Sequence, residues 1–291
     1  MGISSRHIGI GQVLVAGIGW GFMGAFVRTL HANGLQPLTI AALRSGFSAI
    51  ILLAALGLCR PQLLKVRLKD LWCMAGSGLV SLLMFNLCYF TTLQHTSIGI
   101  AVILLYTSPI FVTLMSHFCF GEPFRRRTFI ALALVTAGCV LVSGVIQQKD
   151  SIRLPLPVFL LGLGSGFFYA LYSIFGRYAQ QRGYSSATIS LWTFLFAAMG
   201  TLPLVDFAAI RPLLGSAGGF WLPLAGLIPI STIIPYVAYT AGLKRLTPST
   251  AAIIATSEPV TATLVGILLF HETLTWSSLT GMVLILAAMF L

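Results

Sequence analysis

Long apolar stretches recur along the whole chain, and they limit the fold more than any other feature of the sequence. Hydrophobic residues make up 57% of the 291 residues and charged residues only 8%. A water-facing surface needs far more charge than this, whereas a helix of about 20 apolar residues crosses the hydrocarbon core of a bilayer. The alternation of polar and apolar residues that is typical of a membrane barrel is missing. The sequence therefore predicts an all-α integral membrane protein.

Proline, glycine and charged residues divide the apolar sequence into ten stretches. Each stretch is long enough to cross the bilayer as a helix. We predict transmembrane helices at about residues 8–31, 38–59, 71–93, 98–120, 127–146, 155–180, 185–205, 219–242, 249–270 and 275–291.

The net charge of +11 is distributed unevenly between the two sides of this predicted topology. With the N-terminus inside, twelve of the 17 basic residues lie on the inner side and four on the outer side, while Arg44 lies within the second helix. Loops rich in lysine and arginine stay on the cytoplasmic side of a membrane. The pattern predicts a multi-pass protein of the inner (plasma) membrane with both termini in the cytoplasm. It gives no reason to expect a nucleic-acid partner.

The second half of the sequence repeats the first. The residues that recur at an offset of 150 positions include Tyr89 and Tyr239, Pro109 and Pro259, and Glu122 and Glu272. Each half, 1–146 and 147–291, holds five predicted helices, and because five is odd the second half enters the membrane from the opposite side. We therefore predict two inverted repeats, an architecture in which a central site is exposed to each side of the membrane in turn.

Several short motifs resemble a known family. They are Trp20-Gly21 in the first helix, the spacing from Pro37 to Arg44, and Glu258-Pro259-Val260 followed by Glu272 and Gly281. With the five-plus-five duplication, they resemble the EamA-type branch of the drug/metabolite transporter superfamily. The high content of aromatic residues is similar to that of the YddG-type aromatic amino-acid exporters. The resemblance implies a ten-helix exporter of small amphipathic metabolites, with amino acids favoured and aromatic ones in particular.

Polar and aromatic side chains lie well inside the predicted helices, although tyrosine usually collects at the membrane interface. Asn86 and Tyr89 share a helix face through their i, i+3 spacing, and the repeat maps them onto Tyr236 and Tyr239. We expect a substrate pocket between the halves, whereas ordinary packing between helices would explain the same side chains without a ligand. The predicted pocket residues are Trp20, Asn86, Tyr89, Tyr106, Tyr169, Tyr172, Tyr236 and Tyr239.

Two ionisable residues, Arg44 and Glu258, are predicted to lie deep in the membrane, where charge is costly and commonly functional. Glu258 would carry a proton or bind a cationic amine, or else bond a neighbouring helix beside Pro259. Arg44 would hold the carboxylate of an amino acid, or else tie the second helix to a backbone carbonyl. Ser108 precedes the first repeated proline where Glu258 precedes the second, so we regard it as a possible polar contact.

Four prolines fall within predicted helices, where each removes a backbone hydrogen bond and bends its helix. We expect helix bending or gating at Pro109, Pro229, Pro235 and Pro259.

The sequence gives no indication of an enzyme. Its five histidines are scattered, and no catalytic or phosphate-binding motif occurs, so we expect no catalytic residue, metal or cofactor. The expected partners are a small-molecule substrate and the lipid bilayer, with a monomer sufficient and a dimer possible. Two alternatives stay open: a proton-coupled multidrug exporter that uses Glu258, and a non-transporting membrane scaffold or sensor.

Overall fold

The computed structural model describes residues 3–145 and 154–291, and over these residues every regular element is helical. The main helical segments are α1 (Ser5–Ala32), α2 (Pro37–Cys59), α3 (Leu68–His95), α4 (Ile98–Phe120), α5 (Arg126–Val142), α6 (Leu156–Gln181), α7 (Ser186–Leu204), α8 (Ala217–Leu243), α9 (Pro248–Phe270) and α10 (Trp276–Ala288).

Eight of these segments are long and apolar enough to cross a membrane. The other two are shorter than predicted: α5 has 17 residues and α10 has 13. The turn that follows α5 contains Gly144, whose φ is 72°. Glycine adopts this left-handed conformation easily. At 1.5 Å per residue, α10 extends only about 20 Å. The prediction of an all-α membrane protein is confirmed, with eight candidate spans among the described residues.

The outer surface of the helices is apolar. Leu58, Phe118 and Trp276 are each more than four-fifths exposed. In water such side chains would favour aggregation, whereas in a bilayer they contact lipid tails.

Several helices are interrupted near their middle. α1 has a one-residue break at Phe22, α4 breaks at Tyr106 and Thr107, and α9 breaks at Thr256. Pro109 and Pro259 follow the latter two breaks, and proline has no N–H group to bond the preceding turn. α3 and α8 instead contain π-helical segments, Gly76–Leu83 and Pro229–Ile233.

The chain leaves α4 and α9 in the same way. Gly121 has φ 66° and His271 has φ 55°, at positions 150 residues apart. The next amide in each case bonds back to the helix: Glu122 N donates to Ser116 O at 3.4 Å, and Glu272 N donates to Gly266 O at 3.2 Å.

Contacts between the two halves of the chain come in matching pairs. α1 packs against α8 and α9, while α6 packs against α3 and α4; α2 packs against α7, and α5 against α10. Glycines allow the closest approaches, because a Cβ atom on Gly17 would overlap Ser257 Oγ and one on Gly166 would come within 2.6 Å of Thr107 Oγ1. The packing brings the interrupted parts of α4 and α9 to the centre, beside α1, α6 and α8.

Candidate functional site

An aromatic cluster lies where α1, α6 and α8 meet. The Trp20 ring centroid is 5.2 Å from that of Tyr236, 5.3 Å from Tyr239 and 6.4 Å from Tyr169. Tyr172 adds a further edge contact with Tyr236 at 5.2 Å. The i, i+3 spacing of the tyrosine pairs on α6 and α8 places both members of each pair on one helix face.

Hydrogen bonds fix two of these tyrosines. The hydroxyl of Tyr172 lies 2.8 Å from Thr240 Oγ1, and the hydroxyl of Tyr239 lies 2.6 Å from Ser173 Oγ. Both bonds join α6 to α8 and are buried. A buried hydroxyl with a partner avoids the free-energy cost of an unmade hydrogen bond, so the bonds hold the two tyrosine faces in one relative position.

Glu258 contributes a carboxyl group to the same place. It lies on α9 between the break at Thr256 and Pro259, and it is half-buried. The hydroxyl of Tyr169 donates to Glu258 Oε2 at 3.4 Å. A carboxyl group therefore faces the aromatic cluster from the interrupted part of α9.

These side chains line a small cavity between the helices. The predicted residues in its wall are Trp20, Tyr106, Ser108, Pro109, Tyr169, Tyr172, Tyr236, Tyr239 and Glu258. The volume open to the centre of a water molecule is about 20 Å³, which is room for about one ordered water. The side chains thus fill the centre in this conformation, and a metabolite enters only if the helices separate.

Asn86 and Tyr89 lie outside the wall of this cavity. Asn86 Nδ2 donates to Leu82 O at 2.6 Å, and the Tyr89 ring packs 5.8 Å from Phe85. Phe85 also contacts Tyr169 at 5.2 Å, so the Phe85 ring touches both Tyr89 and the cluster.

The other predicted residues lie at the edges of the cluster. Arg44 on α2 is buried, and its Nη1 lies 2.9 Å from the sulfur of Met23. Pro229 begins the π-helical segment of α8, and Pro235 packs against Gly19.

Sequence reasoning missed several residues in the wall. They include Leu82, Val112, Ser173, Ala252, Ala255 and Thr256. Ser173 follows Tyr169 by four positions, so the helical period could have placed it on the same face. The small and apolar residues give no comparable signal, because such residues occur in both lipid-facing and packed positions.

Comparison with known proteins identifies the family. The sequence pattern of the EamA-like transporter family matches the chain twice, over residues 7–144 and 156–291. The chain belongs to the EamA-like transporter family. An uncharacterized transporter of Archaeoglobus fulgidus is 28% identical over 285 residues, 96% of this chain and 94% of that protein.

Two further comparisons bear on function and fold. The threonine/homoserine exporter RhtA of Escherichia coli is 29% identical over 267 residues, 88% of this chain and 83% of that protein. A crystal structure superposes with a TM-score of 0.80 at 18% identity, covering 99% of this chain and 96% of that one. At that identity the likeness shows a shared fold.

Polar contacts lie at both ends of α9 in this EamA-like transporter. At its N-terminal end, Ser249 Oγ donates to Glu122 Oε2 at 2.8 Å and so joins α9 to the end of α4. Just beyond its C-terminal end, Glu272 forms an exposed ion pair with Arg28 of α1 at 3.1 Å. Glu122 and Glu272 are the two glutamates that the sequence repeat relates, and each joins α9 or its following turn to another helix.

Proposed function

We propose that this membrane transporter exports small amphipathic amino acids, with aromatic ones favoured, through the central cavity. The observation that carries the proposal is the cavity wall, in which aromatic rings and hydroxyl groups surround one carboxyl group at the helix breaks. Such a wall offers an apolar surface to a side chain and hydrogen-bonding groups to its polar end.

The aromatic preference rests on the geometry of the rings. Trp20 meets Tyr236 at an interplanar angle of 78° and Tyr169 at 67°. Edge-to-face contacts of this kind stabilise aromatic pairs, and a substrate ring would exchange one such contact for another when it enters.

A second candidate class is small hydroxylated amino acids. It is favoured by the resemblance to a protein named as a threonine/homoserine exporter. Thr240, Ser173 and the tyrosine hydroxyls would bond a substrate hydroxyl. The two classes differ in the contact that would dominate, since an aromatic substrate depends on the rings and a hydroxylated one on the hydroxyls.

Alternating access would follow from an inverted relation between residues 1–146 and 147–291. The matching contacts between helices are what a two-fold axis in the membrane plane would produce. We propose that α5 and α10 also cross the membrane, because five crossings per half are needed for the inversion. Both termini would then be cytoplasmic in the inner membrane, and a single chain, which contains both halves, would be sufficient for transport.

The polar contacts at the two ends of α9 would alternate during transport. Opening the contact between Glu122 and Ser249 would expose the cavity at one face, and opening the pair of Arg28 and Glu272 would expose it at the other. Both are formed in this structure, which agrees with a cavity that is closed to a metabolite.

Release from proteoliposomes tests the proposal. Vesicles loaded with labelled phenylalanine, threonine, homoserine or a hydrophobic cationic dye would be compared with protein-free vesicles. We expect protein-dependent release of amino acids, with phenylalanine released fastest. Faster release of threonine would favour the second class, and release of no amino acid would contradict the proposal.

The same vesicles separate the two alternatives. A proton-coupled multidrug exporter would release the dye under a pH gradient and lose that release in Glu258→Gln, because the amide cannot carry a proton. A scaffold or sensor would release nothing under any condition.

A further inference from the structure

Arg44 is a buried cation without a carboxylate partner in the described part of the chain. It is 5% exposed, and the ion pairs between described residues use Arg28, Arg67 and Arg182 instead. Its Nε has no hydrogen-bond partner among the described residues, and its Nη1 bonds a thioether sulfur, a weak acceptor. Burial removes the hydration of the guanidinium, and no carboxylate among the described residues offsets that free-energy cost.

The position of Arg44 is beside the cavity. Met23, which it contacts, follows the break in α1 and lies three residues beyond Trp20. Met23 in turn packs against the buried cluster that contains Trp20 and Tyr236, two residues of the cavity wall.

Two neutral donors without partners point to the same ligand chemistry. The Nε1 atom of Trp20 and the Oγ atom of Ser48 are buried and have no hydrogen-bond partner among the described residues. Ser48 lies one turn beyond Arg44 on the same face of α2. Trp20 lines the cavity, so its indole N–H and the nearby guanidinium of Arg44 are donors that an anionic group would satisfy.

The cavity carries the opposite charge on α9. Glu258 accepts from Tyr169, and no salt bridge joins it to Arg44 or to another described basic residue. Glu258 thus lines the cavity and Arg44 lies at its edge behind Met23, and no ion pair joins the two. A ligand that carries both charges on adjacent groups, such as an α-amino acid, would pair with each.

We propose that Arg44 binds the α-carboxylate of the substrate and Glu258 its α-ammonium group, so that the site selects zwitterions. The inference rests on the proposed amino-acid export and names the groups that recognise the substrate. To reach the guanidinium, the carboxylate replaces the sulfur of Met23, a far weaker acceptor.

Transport kinetics with substrate analogues test the assignment. Labelled phenylalanine would be the substrate, and phenethylamine, which lacks the carboxylate, the competing inhibitor. In Arg44→Met we expect the KM for phenylalanine to rise at least about tenfold, while inhibition by phenethylamine changes by less than about threefold. Glu258→Gln should weaken both phenylalanine binding and inhibition by phenethylamine, because both molecules carry the ammonium group.

Arg177→Met is the matched control. Arg177 also has a buried Nε without a partner among the described residues, but it bonds the carbonyl of Leu243, whereas Arg44 bonds Met23 at the edge of the cavity. We expect its KM for phenylalanine to stay within about twofold of wild type. If Arg44→Met does not fold, Arg44→Lys replaces it; we expect a rise of about threefold, because lysine keeps the charge but loses the planar fork.

Two results would overturn the assignment. One is a KM for phenylalanine within about twofold of wild type in folded Arg44→Met. The other is an equal loss for phenylalanine and phenethylamine, which would indicate a structural role for the arginine. The proposed function fails separately, if the wild-type protein releases no amino acid.

Discussion

His271 takes a left-handed backbone conformation, with φ 55°, at the end of α9. Its counterpart at the end of α4 is Gly121, with φ 66°. The left-handed region is unfavourable for a residue with a Cβ atom, by about 1–2 kcal/mol. The two halves thus share a helix-ending geometry, and only the first half has the residue suited to it.

We expect His271→Gly to stabilise the protein by about 1 kcal/mol. His271 is exposed, so the substitution removes little packing. Thermal unfolding of the purified protein in detergent, followed by intrinsic fluorescence, measures the effect, and we expect a rise in Tm of about 2 °C.

The reverse substitution, Gly121→His, is the control, and we expect it to lower Tm. An unchanged or lower Tm for His271→Gly would contradict the strain argument, since it would mean that the histidine side chain stabilises the turn more than its backbone conformation destabilises it.

The candidate site could be predicted where residue spacing decides which face a side chain occupies. Tyr236 and Tyr239 line the cavity together, as their i, i+3 spacing on α8 indicated. The same spacing could not place Tyr89, because the packing of Phe85 against both Tyr89 and Tyr169 depends on how α3 and α6 approach each other. That approach is a tertiary property, and sequence spacing does not encode it.

At the scale of the helices, the apolar runs predicted the positions of the eight long helices closely, whereas α5 and α10 are shorter than predicted. The breaks in α4 and α9 lie just before Pro109 and Pro259, and a proline is a visible signal because it cannot donate to the preceding turn. The break at Phe22 and the π-helical segment of α3 have no comparable signal. Hydropathy reports which residues are apolar, and a local change in the backbone hydrogen-bond pattern leaves that unchanged.

Gly17 and Gly24 provide a matched test of the packing between α1 and α9. A Cβ atom on Gly17 would overlap Ser257 Oγ, whereas one on Gly24 would have no neighbour within 4 Å in the described part of the chain. We expect Gly17→Ala to destabilise the protein by about 1–3 kcal/mol, because the interface is already in contact. We expect Gly24→Ala to have little effect, and thermal unfolding in detergent compares the two.

Equal Tm values for the two alanine variants would contradict this account of the interface. Gly17→Ala should also slow phenylalanine release, because the displaced α1 carries Trp20 and Ser257 adjoins Glu258.

At the scale of the whole molecule, the polar contacts at the two ends of α9 suggest how the cavity is closed. Glu122 bonds Ser249 at one end, and Glu272 pairs with Arg28 at the other. The ion pair is exposed, so we expect it to contribute only about 0–1 kcal/mol. Weak contacts of this size are suited to opening and closing during a transport cycle.

The orientation of the chain can be tested with single cysteines. In a variant without the five native cysteines, Arg125→Cys and Arg211→Cys would be exposed to a membrane-impermeant maleimide in intact bacterial cells. We expect labelling at position 211 and none at 125, because the excess of basic residues places the loop before α5 in the cytoplasm.

Labelling of both positions after the cells are broken is the control for accessibility. Labelling at 125 and not at 211 in intact cells would mean that the termini lie outside, and labelling of both would mean that the helices between them cross the membrane an even number of times.

Release of labelled phenylalanine by Trp20→Ala and Trp276→Ala tests the central claim most directly. Trp20 is 5% exposed in the wall of the cavity, whereas Trp276 is 84% exposed on the outer surface. We predict that wild type and Trp276→Ala release phenylalanine from proteoliposomes at similar rates and that Trp20→Ala is slower by at least about tenfold. No release by the wild type, or equal release by both variants, would contradict transport through this cavity.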